Sequence, residues 1–218
     1  MELHDKVLKC ITKIGMESLR SPIFYNSPIG IRLEIGSPLE AVYLSGRTKE
    51  LTLNEQYFDD AVAKIARVYA DIPSKIDILE FDICPENTCA DDYIKRFCEI
   101  TGLSAPEDIF NETFDLDGQP VEIMRLYWKV GGVKFNLNNL FKEIVHADFG
   151  GFSQLVSSVY FWSTEANLLF HMYDDRGADI VCENAEPLRE IYQKYSRWIL
   201  DYDRKRIDAV FSGRPATQ

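Results

Sequence analysis

Residues 155–182 read LVSSVYFWSTEANLLFHMYDDRGADIVC. Three β-rich runs lie inside this stretch, at 155–162, 168–173 and 178–182, separated by the turn-forming segments STEAN and DDRG. Short runs of β-branched and aromatic residues bounded by Asp, Asn, Ser or Gly predict strands. Their close spacing predicts an antiparallel three-strand meander. Two helices are expected after it, at 186–195 and 197–211.

Upstream, 138–147 reads as a helix ending at Gly150-Gly151, and 121–130 alternates strongly after an Asp117-Gly118 turn. Gly131-Gly132 followed by Val133-Lys-Phe135 predicts a further hairpin. Ser104-Ala-Pro-Glu107 has the form of a helix start, with Pro in the first turn and Glu at N3. Asp91 is positioned to cap a helix over 91–100 that Gly102 stops, after a strand at 75–83. Thr52-Leu-Asn-Glu55 matches a capping box, opening a helix to about residue 70 with Phe58, Val62, Ile65 and Tyr69 inward. Strands at 29–35 and 41–44 and a helix over 3–19 complete the chain.

Helices and hairpins come in groups rather than in strict βαβ alternation. The expected class is therefore α+β, a mostly antiparallel sheet with flanking helices, closed by the meander and two helices. One domain over residues 1–218 is the expected organisation, with 150–151 as the place where a sub-boundary would fall.

The net charge of −11 has a single origin. Between residues 71 and 122 there are fourteen acidic side chains and three basic ones, whereas the rest of the chain holds 21 of each. Such a block points to a basic partner, to a metal, or to solubility alone. Glu80, Asp82 and Glu86 are expected at a strand end, Asp91 and Asp92 at the next helix start, and Glu107 and Asp108 at the one after. Grouped on adjacent loops, these seven would form a negative surface for a basic protein. A pI near 4.8 disfavours nucleic-acid binding, which needs clustered Lys and Arg. No apolar run approaches a membrane span and no secretion signal opens the chain, so a cytoplasmic location with reduced thiols is expected.

Motif chemistry is sparse. Cys84, Cys89 and Cys98 lack a fourth ligand at zinc spacing, and Thr113 to Met124 fails the calcium-loop pattern because Met124 stands where a bidentate Glu belongs. No P-loop, dinucleotide fingerprint, nucleophile elbow or zincin motif occurs. No metal, cofactor or catalytic residue is expected.

Tyr173-Asp-Asp-Arg-Gly177, followed by Trp198-Ile-Leu-Asp-Tyr-Asp-Arg204, resembles the signature of a bacterial family known as domain of unknown function 3885. The resemblance covers about 170–211, takes in Asp179, Tyr192, Tyr195 and Ile207, and has an N-terminal echo in IRLEIG at 31–36. It implies a fold neighbourhood and a bacterial origin, and carries no reaction.

The residues themselves favour a structural role for that motif. Asp174 and Asp175 suit turn amides, Gly177 a left-handed bulge, and Arg176 an ion pair with Asp201 or Asp203 of the closing helix. Tyr195, Trp198, Ile199 and Tyr202 have core spacing, and Asp203 is placed to cap or charge a helical turn. The competing reading makes Asp174, Asp175 and Asp179 ligands of a hard cation, or His171 a general base beside Asp174 or Asp175. Two functions thus stand open. One is a non-enzymatic interaction protein, specifically an immunity protein neutralising a basic, nuclease-type toxin. The other is an enzyme or a ligand- or metal-binding protein centred on His171 and the Asp174-Asp175-Arg176 turn.

Overall fold

The 155–182 stretch folds as the meander its turns predict, and the meander is one half of a larger antiparallel sheet. A computed structural model of the chain describes residues 2–19, 22–36, 42–45, 51–85, 89–116, 119–152 and 157–212. Its elements in order are α1 (Leu3–Ile14), β1 (Gly30–Glu34), β2 (Tyr43–Ser45), β3 (Leu51–Leu53), α2 (Glu55–Ala70), β4 (Ile78–Ile83) and α3 (Ala90–Thr101). There follow β5 (Asp108–Leu116), β6 (Gln119–Lys129), α4 (Leu137–Val145), β7 (Ser157–Ser163), β8 (Leu168–Met172), β9 (Gly177–Cys182), α5 (Arg189–Tyr195) and α6 (Asp201–Phe211). Seven strands pair antiparallel in the order β1-β9-β8-β7-β4-β6-β5, while β2 and β3 form a separate two-stranded ribbon. Strands from both sides of Gly150 and Gly151 alternate in the one sheet, since β7 lies between β8 and β4.

Both faces of the sheet are covered, unequally. On the larger face, Phe58, Val62 and Ile65 of α2, Phe97 of α3, Phe141 of α4 and Ile207 of α6 join Leu79, Phe81, Trp128, Phe161 and Phe170 in one core. Phe97 stacks between Phe81 and Trp128 at centroid distances of 4.5 and 4.7 Å. The smaller face is closed by α1, whose Leu3, Val7, Cys10, Ile11 and Ile14 meet Ile78, Trp162, Leu169 and Val181. This i, i+3/i+4 stripe is the one read from the sequence. Helix α3 stops where expected, because Gly102 takes the left-handed conformation (φ 72°) and its amide bonds back to Cys98.

Four local expectations fail for physical reasons. Thr52 does not cap α2: it pairs with Leu44 in the small ribbon, and Asn54 takes the N-cap position with its amide on the Val42 carbonyl at 2.8 Å. The predicted strand at 41–44 begins later, at Tyr43, and residue 41 lies outside the described residues. Residues 104–107 open no helix. They lead into β5, whose nine register pairs with β6 outweigh capping signals worth about 1 kcal/mol. Residues 133–135 form no strand and lead into α4 instead. The Asp117-Gly118 turn lies outside the described residues, although β5 and β6 flank it with Leu116 opposite Gln119.

Candidate functional site

Sheet register assembles a line of ionisable side chains that no single segment encodes. Arg32 on β1 pairs with Asp179 on β9, Asp179 with His171 on β8, Tyr160 on β7 with Glu80 on β4, Glu80 with Tyr127 on β6, and Tyr127 with Asp108 on β5. Tyr160 and His171 close the line by stacking at 4.6 Å. Each strand contributes one residue, all on the α1 face, because side chains alternate across a strand.

At the centre of the line, Glu80 is 0% exposed. Its Oε1 accepts from Arg125 Nη1 and from the Tyr127 hydroxyl, both at 3.1 Å, and its Oε2 accepts from Trp162 Nε1 at 2.7 Å. Arg125 also reaches Asp82 Oδ2 at 3.1 Å and grips Glu112 Oε2 through Nε and Nη2 at 3.0 and 2.8 Å. His4 Nδ1 lies 2.9 Å from the Tyr127 oxygen. Since the one hydroxyl proton of Tyr127 goes to Glu80, that imidazole nitrogen is the donor. The His4 backbone amide bonds Asp108 Oδ2 at 3.0 Å, fixing the start of α1 on β5.

Arg125 is one cation facing two buried carboxyls. Burial and the neighbouring Glu80 push the Asp82 carboxyl well above its ordinary value of 3.8, against the pull of Arg125. Asp82 Oδ1 has no hydrogen-bond partner. The folded state therefore keeps a proton that the unfolded chain sheds, so stability falls as pH rises from about 4 towards the raised folded value. Asp82→Asn is expected to gain on the order of 1 kcal/mol near pH 7 and nothing below pH 4. Urea midpoints across that range check this, and a constant difference at every pH would refute it.

The signature residues form a second polar cluster around the 3-10 turn Ile23–Asn26. Asp179, fully buried, accepts from Arg32 Nε at 2.8 Å and from the Phe24 amide at 3.0 Å. The Arg32 guanidinium lies over the rings of Tyr25 and Tyr173 at 4.9 and 5.1 Å. Asp203, buried in the first turn of α6 as one of its two acidic residues there, accepts the Tyr25 hydroxyl at 2.6 Å, and Arg206 Nη2 donates to the Ser27 carbonyl at 2.8 Å. Strand β1, the N-terminal echo, is thus the direct neighbour of β9, and α6 clamps the turn that precedes β1.

Within the turn itself, Arg176 pairs with Asp174 instead of Asp201 or Asp203, and Asp175 accepts the Tyr57 hydroxyl at 2.6 Å. Asp201 is exposed beside Arg204, and Trp198 packs on Tyr195 at 4.8 Å. Gly177 is not left-handed. It is needed because a Cβ there would lie 2.1 Å from the Tyr173 hydroxyl and 2.7 Å from the Leu33 carbonyl. His171 is 2% exposed with its Nδ1 unpartnered, and burial lowers its pKa to about 3. A closed-off imidazole that stays neutral at physiological pH is a poor general base. Asp174 and Asp175 beside it are already engaged. Among the described residues no three His, Cys, Asp or Glu side chains converge to hold a metal ion, and Cys84, Cys89 and Cys98 are outside any disulfide.

The seven acidic residues expected on one surface separate. Glu80 and Asp82 are interior, because β4 is covered on both faces and its alternation leaves no solvent side. Glu86 lies outside the described residues. Asp91 and Asp92 are exposed in the first turn of α3. Glu107 is exposed and accepts the Lys129 amide, while Asp108 is half-buried under His4. Because α3 runs back along the sheet for about 18 Å between β4 and β5, the Asp91-Asp92 and Glu107-Asp108 pairs sit at its opposite ends. The members of these two clusters that the sequence reading did not single out are Arg125, Tyr127, Trp162 and Tyr25, while Arg32 entered it only inside the IRLEIG echo. The one available signal was Arg125 at an inward position of an alternating strand.

On the open side of the sheet, β5 and β6 continue past β4. Their ladder runs five pairs beyond the last β4 contact at Met124, from Glu112–Ile123 to Leu116–Gln119, a ribbon roughly 15 Å long. Glu122 is exposed on it, and Glu112 is 43% exposed at its base.

Among the described residues no helix is long and apolar enough to cross a membrane. No solved structure matches the chain significantly. The chain is similar to the "Uncharacterized protein YnaE" of Bacillus subtilis (strain 168), 33% identical over 54 residues. That match spans 25% of this chain and 25% of the relative's length. A family model described as "Domain of unknown function (DUF3885)" matches residues 11–203, far beyond the C-terminal signature and across the whole acidic stretch. With β1, β9 and α6 joined through the signature residues, the chain belongs to this DUF3885 family.

Proposed function

We propose that this protein is a non-enzymatic binding protein for a basic polypeptide, an immunity protein that neutralises a nuclease-type toxin domain in the cytoplasm. The observation that carries the reading is the asymmetry of the sheet's exposed border. With Glu80 and Asp82 buried inside, the solvent-exposed acids of the 71–122 block among the described residues are Asp91, Asp92, Glu99, Glu107 and Glu122, on α3 and at the β5–β6 hairpin. Carboxylates spread over one border raise the encounter rate with a basic surface and occupy the positions that phosphates would take on a nuclease.

The test is stopped-flow association with the C-terminal domain of any large secreted protein found encoded immediately upstream, at low and at high salt. Binding is expected to weaken with salt, and the double variant Glu107→Lys, Glu122→Lys is expected to slow association about tenfold or more with folding unchanged. Salt-insensitive association, unchanged in the double variant, refutes the reading.

A further inference from the structure

The two edges of the seven-stranded sheet are finished differently. Strand β1 is short, and the Ile23–Asn26 turn and α6 pack beside it. Strand β5, at the other edge, is nine residues long and among the described residues has β6 as its one ladder partner; the start of α1 packs on its face, where His4 stacks on Phe110 at 3.6 Å, and leaves the hydrogen-bonding edge open. Its ladder with β6 is unbroken over all nine positions, so no bulge twists the edge away. Its sequence, DIFNETFDL, contains no Pro, Lys or Gly to blunt it. Ile109 and Phe110 are 51% and 38% exposed, although the neighbouring Leu126 and Tyr127 are fully buried. Natural edges of this length are normally protected, since alternate amides and carbonyls stand ready to pair with another strand.

We infer that β5 is a docking edge for an extended, basic segment of the partner, which adds to the sheet as an eighth strand. The inference rests on the binding function proposed above and names its mode. Charge decides the occupant. All ionisable residues of β5, Asp108, Glu112 and Asp115, are acidic, as are the flanking Glu107 and Asp117. A second copy of β5 would set acid against acid across the new ladder, which like-charged cross-strand pairs disfavour. A strand with alternating Lys or Arg is complementary, while Ile109 and Phe110, on opposite faces, offer apolar contact to its neighbouring side chains. Main-chain bonds would supply affinity and the acidic row selectivity.

The test uses the full chain and two synthetic peptides of about ten alternating Lys and Val residues, identical except that one is N-methylated at successive pairs of adjacent backbone amides, which blocks both of its edges. Both carry the same charge; only the unmodified peptide can complete a ladder. The unmodified peptide is expected to bind at least about tenfold more tightly, because several backbone bonds are lost together in the other. It should also slow hydrogen exchange at alternate amides of β5. Equal affinity for the two peptides would overturn strand addition while leaving the acidic-surface reading standing. Salt-insensitive binding of the toxin domain would fail that reading with the peptide result intact. A protein already dimeric in sedimentation, with β5 amides protected before any peptide is added, would also overturn the inference and assign the edge to a second copy.

Discussion

Arg125→Met is expected to destabilise the protein by about 3–5 kcal/mol, the cost of removing one partner from a buried ionic cluster. Methionine keeps much of the aliphatic length, so the lost term is the guanidinium. Without it, Glu80 keeps only the Tyr127 and Trp162 donors, and Asp82 loses the one hydrogen bond its Oδ2 receives. Glu112 is partly exposed and regains water, so it adds little. The urea midpoint should fall with the m-value unchanged. Adding Glu80→Gln and Asp82→Asn to Arg125→Met removes the stranded Glu80 charge and the second buried carboxyl, and should recover at least half of the loss. A single variant within about 1 kcal/mol of the parent, or a triple variant no better than the single, would show that this cluster is not ionic in the folded state.

That cluster also marks where sequence reading reaches its limit. The meander, α1, α2 and α3 were legible because each depends on local information: turn residues, a period of two, or a stripe at i, i+3 and i+4. ILEFDI at 78–83 was legible as a strand, but its Glu80 and Asp82 read as strand-end carboxylates of a negative surface. Period-two alternation distinguishes two faces and says nothing of whether the second is covered. Its partner strands come from 119–129 and 157–163, so the contacts of Glu80 with Arg125 and Trp162 span 45 and 82 residues. Register across strands that are not consecutive cannot be read from either one. The same blindness read a helix start at 104–107, just ahead of β5: Pro106 and Glu107 are a local signal, whereas the β6 ladder that overrides it is not local. Of the seven acids expected on one surface, Glu80 and Asp82 lie in the core, Asp108 is half-buried, and Asp91, Asp92 and Glu107 are exposed.

Gly177→Ala is expected to cost about 3 kcal/mol or more, the upper range for forcing atoms into filled space. The added methyl would meet the Tyr173 hydroxyl from one side and the Leu33 carbonyl from the other. Leu33 cannot retreat, because β1 is held to β9 residue by residue from Gly30–Val181 to Glu34–Gly177. Tyr173 cannot swing freely either, since its ring carries the Arg32 guanidinium, which in turn binds Asp179. A close-approach role and a left-handed turn role predict different substitution patterns. A left-handed site accepts Asn nearly as well as Gly. A crowded site rejects Asn as firmly as Ala, and rejects Val more. Thermal unfolding of the Ala and Asn variants separates the two: equal, large losses support crowding, and a well-tolerated Asn would restore the turn bulge. Combining Tyr173→Ala with Gly177→Ala gives the second arm, because the methyl then enters the space of the absent ring. The pair should be less destabilised than the sum of its singles, and strict additivity would mean that the two residues do not press on each other.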